Sequence, residues 1–201
     1  MVAADGSSEY SLTVGGLTGG TYYQFTILAE NIHGWGPESA LFTENAAGKP
    51  EKPDAVVTSN QGTSINVDWD APGNSFKTIT SYTVTIKDKV SGVFSEHTDL
   101  CDGSSAEVVA TTLCTIPTAL LRSELNYEQG DVPQFKVSAY NARGSGTESD
   151  ANSIGAVIKT EPGKMLAVSR NSATVENEVI IDWQALSSPE NGDSEVIAYN
   201  L

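Results

Sequence analysis

The chain has 201 residues, of which 11 are Lys or Arg and 26 are Asp or Glu, giving a formal net charge of −15. Such a surface repels phosphate backbones and anionic lipid, which argues against nucleic acid and membrane as partners and reads as a solvated, soluble exterior. No run of about 18 apolar residues is present to span a bilayer, and Met1–Tyr10 lacks the basic-then-apolar order of a secretion signal, so an export signal would lie outside this sequence or have been removed from it.

In chain order, Tyr10, Leu12 and Val14 predict a strand that Leu17 closes, and Gly19-Gly20 turns the chain. Tyr23, Phe25, Ile27 and Ala29 share one parity on the next strand, a turn follows, and Leu41 and Phe42 begin another strand. The stretch Gln24–Ser39 returns 110 residues later as Gln134–Ser149, identical at eight of sixteen positions and without a gap. It is an internal repeat. Each copy carries an alternating apolar face (Phe25, Ile27, Ala29; Phe135, Val137, Ala139) and an Asn-x-x-Gly-x-Gly turn whose residues tolerate positive φ.

Between the copies, Lys49-Pro50-Glu51-Lys52-Pro53 has the composition of a short, stiff linker. Ala55–Val57 suit a strand, and Ile65, Val67 and Trp69 alternate with polar residues on the next. Ala71-Pro72-Gly73-Asn74 breaks the chain, after which Tyr82, Val84 and Ile86 face one way and Thr83, Thr85 and Lys87 the other. Cys114, Ile116 and Leu120 then lead to the second copy of the repeat. From Glu161-Pro162-Gly163 the pattern starts again: Leu166, Val168, Val179, Ile181 and Trp183 repeat the arrangement of Val56, Val57, Ile65, Val67 and Trp69, and Tyr199 with Leu201 restarts the third strand.

These motifs resemble the fibronectin type III family. The resemblance implies an all-β fold of tandem immunoglobulin-like β-sandwiches, with residues 1–48 as the C-terminal half of one domain, 49–160 as a complete domain and 161–201 as the N-terminal half of a third. It implies that Trp69 and Trp183 plug their sandwiches and that Leu17, Gly20 and Tyr23 form a tyrosine corner. Pro133 stands where Tyr23 stands in the first copy, so the middle domain is expected to hold that crossing by other means. The segment Asp88–Ala110 is longer than the family usually carries there.

A half sandwich exposes its apolar face and its sheet edges. Two arrangements satisfy both ends: the chain is a window on a tandem array, or the front half of one copy completes the back half of the next by strand complementation. Tyr82 to Ile116 is 34 residues, whereas Tyr199 through the end of one copy to Thr13 of another is 15. About one strand of five or six residues is missing from the second arrangement, which favours the array.

In a domain type common outside cells, an even cysteine count favours pairing, and Cys101 with Cys114, 13 residues apart, would close a disulfide. His33 and Trp35, with Arg143 at the place of His33 in the other copy, occupy turns where some members of the family present ligand-binding residues; Ser145 replaces the Trp there, which favours packing as the role of Trp35. Calcium is the one cofactor with any basis: Asp68 and Asp70 flank Trp69, and Glu190, Asn191 and Asp193 cluster on the equivalent loop, although carboxylates at strand edges are ordinarily just solvated. No other metal site and no catalytic residues are expected, because the two histidines, His33 and His97, fall in different domains and no phosphate loop is present. Thr78, Thr80, Thr83, Thr85, Thr111 and Thr112 offer hydroxyls for O-linked glycans. The resemblance implies a non-enzymatic structural region of an extracellular or cell-surface protein, an array, filament or coat. The alternatives are an adhesive or receptor module that holds a protein or sugar through its loops, and a spacer of a secreted carbohydrate-active enzyme.

Overall fold

The computed structural model describes residues 9–201. In the N-terminal segment, β1 (Tyr22–Phe25), β2 (Glu30–Asn31), β3 (Gly34–Trp35) and β4 (Phe42–Asn45) form two antiparallel pairs, β1 with β4 and β2 with β3. Phe25 lies opposite Phe42, and their rings are 6.4 Å apart. The strand expected at Tyr10–Val14 does not form; those residues carry no regular structure. A strand is held by a neighbour's backbone hydrogen bonds, and among the described residues no strand pairs with this stretch.

The central segment is a β-sandwich. Strands β5 (Val57–Gln61), β6 (Ser64–Asp68), β7 (Ile79–Lys87) and β8 (Phe94–Glu96), helix α1 (Ala106–Thr111), β9 (Leu113–Pro117), helix α2 (Thr118–Leu125), β10 (Phe135–Asn141) and β11 (Gly144–Ser145) follow in order. One sheet runs β5-β6-β9 and the other β11-β10-β7-β8. The alternation read from the sequence fixes which side chains face inward. Ile65, Val67, Tyr82, Val84, Ile86, Ile116, Phe135, Val137 and Ala139 belong to one buried cluster, and Trp69, 5% exposed, meets Tyr82 edge-on with ring centroids 5.3 Å apart. Each fully buried aliphatic or Phe side chain contributes about 1.5–3 kcal/mol to holding the sheets together.

Both helices lie where the sequence suggested only connecting chain. In α1 the Ser105 hydroxyl accepts the Val108 N–H, which caps a single short helix in the long segment before β9. Helix α2 directs Leu121 and Leu125, one turn apart, into the core, while Leu120 is half-buried. A period of two does not detect such a pair.

The C-terminal segment contains β12 (Ser169–Arg170) paired antiparallel with β13 (Ile181–Asp182). Trp183 and Tyr199 meet at 5.7 Å, much as Trp69 and Tyr82 do, yet Trp183 remains 41% exposed. Its expected role as a buried plug is therefore not fulfilled within the described residues, because no second sheet lies over it. Leu166 and Val168 likewise lie outside the strands and are 66% and 53% exposed.

Candidate interaction surfaces

The two copies of the repeated turn are built from the same hydrogen bonds. Asn31 Oδ1 accepts the His33 N–H, and Asn141 Oδ1 accepts the Arg143 N–H. Gly36 N–H donates to the Ala29 carbonyl as Gly146 does to Ala139, and the Ser39 N–H donates to Ile27 as Ser149 does to Val137. The Ser39 and Ser149 hydroxyls accept the Ile27 and Val137 N–H groups. Gly34 and Gly144 sit at φ 120° and 113°, a conformation that favours glycine. The identities between the copies are therefore those that the backbone turn requires.

What differs is the role of the variable positions. Arg143 does not face solvent as a free recognition residue. Its Nη2 lies 2.7 Å from Glu44 Oε1 and also donates to the Asn45 carbonyl, so it bridges the central sandwich to β4. Lys77 reaches the same carboxylate at 3.5 Å. The Asn45 N–H holds the Glu44 carboxyl below its ordinary value of 4.5 against a small cost of desolvation, and Arg143 and Lys77 lower it further. Buried Asn141 donates from one amide nitrogen to the Gly48 and Asn74 carbonyls, which ties the linker to the loop before β7.

That loop is the second part of the junction. Ser75 and Phe76 have φ values of 49° and 67°, the second an unusual conformation for a bulky residue. It turns the Phe76 ring onto Gly19-Gly20, where a Cβ on Gly19 would collide with the ring and one on Gly20 would come within 2.8 Å of it. The Asn45 amide donates to the Phe76 carbonyl. Pro50 and Pro53 are buried and Lys52 pairs with Asp150 at 2.8 Å. The linker is thus strapped to the sandwich, and its composition alone does not set its stiffness.

The same ladder recurs on the far side of the sandwich. Gly48 and Glu51 donate to the Ser75 and Gly73 carbonyls at 3.0 and 2.8 Å; Thr160 and Gly163 donate to Gly192 and Glu190 at 3.0 and 2.7 Å. Both donors shift by 112 residues and both acceptors by 117. Gln129 extends this contact by donating to the Pro189 carbonyl and Asp193 while accepting from Thr160. The loop carboxylate considered for calcium, Asp193, is occupied in this way and by the Ser188 hydroxyl. Among the described residues no group of three or more His, Cys, Asp or Glu side chains is placed to hold a metal.

The remaining sequence-selected residues lie apart from these junctions. His33 and Trp35 project from the β2–β3 hairpin, with Trp35 55% exposed. Cys101 and Cys114 form a disulfide with a Cα–Cα distance of 5.7 Å, which joins the long segment after β8 to β9. The crossing into β10 is held by Tyr127, a residue that sequence reasoning passed over. Its hydroxyl accepts the Gln134 N–H and donates to the Lys87 carbonyl, whereas Tyr23 accepts the Thr18 N–H in the first copy. Asn152 supports the same crossing by accepting from Phe135 and donating to Pro133.

Two apolar faces remain open. One carries Tyr22, Ile27, Leu41 and Phe42, which are 58–71% exposed. The other surrounds a cavity of about 180 Å³ bounded by Met165, Val168, Trp183, Tyr199 and Leu201.

No protein-family model matches the chain. It is similar to a Drosophila melanogaster protein named Cytokine receptor, with 25% identity over 150 residues that take in 71% of this chain and 12% of the receptor. Among solved structures it is similar to a crystal structure of titin domains, at 19% identity and a TM-score of 0.43, covering 74% of this chain and 48% of that one. It is also similar to the chicken CNTN1 FN1-FN3 domains, at 18% identity and a TM-score of 0.40, covering 83% of this chain and 53% of that one. The chain thus spans less than two thirds of each.

Proposed function

We propose that this chain is a connecting region of an extracellular or cell-surface protein of the receptor or adhesion type, in which β-sandwich units follow one another in a fixed relation. The observation that carries the reading is the repeated linker-to-loop ladder, Gly48 and Glu51 on one side of the central sandwich and Thr160 and Gly163 on the other. Free linkers would leave successive units to move independently; a linker hydrogen-bonded to the same loop in each unit transmits orientation along the array. The disulfide suits an oxidising compartment, and the resemblance to a cytokine receptor is of the same kind. In this reading the boundaries fall near residues 48 and 160, and the chain works by holding neighbours at a set distance.

The test is a distance measurement between spin labels at the exposed positions Ile32 and Val90. A narrow distribution that broadens in Arg143→Ala is the expected result; a broad one in the parent chain overturns the reading. A second reading, ligand capture through a loop, is favoured by the exposure of Trp35. It predicts that Trp35→Ala abolishes adhesion of the chain to cells while the label distance stays unchanged.

A further inference from the structure

The central sandwich is a template for what covers the two open faces. Phe135, Val137 and Ala139 on β10 are fully buried, sharing one cluster with Val67, Trp69, Tyr82 and Val84 on β6, β7 and the residue after β6. Their counterparts are divided between the ends of the molecule. The N-terminal segment supplies Phe25, Ile27 and Ala29, with Ile27 71% exposed. The C-terminal segment supplies Ile181, Trp183, Tyr199 and Leu201, with Leu201 89% exposed. Each face thus presents the half of a core that the other lacks.

We propose that a second copy of this chain occupies each face, residues 22–45 of one copy docking on residues 165–201 of the next. The register follows from the template. In the sandwich Ala139 lies opposite Tyr82 and Val137 opposite Val84; the same pairing sets Ala29 opposite Tyr199 and Ile27 opposite Leu201. Phe25 then enters the cavity beside Trp183 and Tyr199. The strand missing from such a joint corresponds to β8, which pairs only with β7 at the sheet edge, away from β10. Its absence leaves the β7–β10 type of pairing intact, so the residue shortfall read from the sequence does not prevent the joint. The contact is heterologous and does not close on itself, so it builds linear chains. This inference rests on the sandwich reading of the two end segments, and it stands or falls separately from the label distance within one copy.

Light scattering on the full 201-residue chain tests it. The expected mass rises stepwise with concentration. Ile27→Asp blocks one face and Trp183→Asp the other, so each variant alone is a monomer, and a mixture of the two yields a one-to-one dimer of twice that mass and nothing larger. An unchanged melting transition of the central sandwich in both variants shows that they are folded. A parent chain that stays monomeric at every concentration overturns the proposal. So do variants that still polymerise alone and a mixture that fails to dimerise.

Discussion

Tyr127 and the two tryptophans show how the environment of a residue, and not its type, sets its energetic role. Burial pushes the Tyr127 phenol above its ordinary value of 10.0, so it remains a proton donor to the Lys87 carbonyl at neutral pH. Tyr127→Phe keeps the ring and deletes both hydrogen bonds, leaving a buried donor and a buried acceptor unpaired. The expected loss is about 1–3 kcal/mol in urea unfolding of the central sandwich. Trp69 and Trp183 occupy corresponding sequence positions at 5% and 41% exposure. Trp69→Ala is expected to cost about 3–5 kcal/mol, whereas Trp183→Ala in the monomer costs less than about 1 kcal/mol. Equal costs in the same denaturation experiment would contradict the difference in burial.

At the scale of elements, the disulfide and the loop before β7 act on different things. The Cys101–Cys114 bond closes a loop of 13 residues' separation, so its removal in Cys101→Ser/Cys114→Ser is expected to destabilise the central sandwich by about 3 kcal/mol. Thermal unfolding with and without the substitutions measures this. Phe76→Gly relieves a backbone conformation that is uncommon for a bulky residue while removing the ring that covers Gly19-Gly20. The sandwich should melt no lower, yet the distance between labels on either side of the junction should broaden. Glu44 gives the same junction a pH dependence. Its folded-state pKa is depressed, so the stabilisation is fully present above the ordinary value of 4.5 and is lost as pH falls through the lower folded value. Glu44→Gln should broaden the label distance at neutral pH, and the difference from the parent chain should close in acid; a difference independent of pH would remove Glu44 as the hub.

For the whole molecule, the legible part was whatever a local pattern writes. Alternation identified the inward faces of β6, β7 and β10, and the repeated Asn-x-x-Gly-x-Gly marked a turn whose hydrogen bonds are local. The junctions were not legible. Glu44, Asn45, Phe76 and Lys77 are scattered singly in polar surroundings, and Arg143 reaches Asn45 across 98 residues. Helix α2 was missed because two inward leucines on an eight-residue helix leave too short a period to separate from a loop. Tyr127 was missed because the corner in the first copy draws its Tyr from the strand itself, whereas here it follows α2.

The sequence by itself determined the all-β class, the inward faces of the central sandwich and the two equivalent turns, since these follow from side-chain period and backbone φ, which are properties of neighbouring residues. Only the tertiary structure decided that Arg143 is a junction residue, that the proline linker is strapped down, and that identical apolar patterns are buried in the centre and exposed at both ends. Burial depends on what lies across the core, and a strand's own residues carry no record of whether a second sheet covers them.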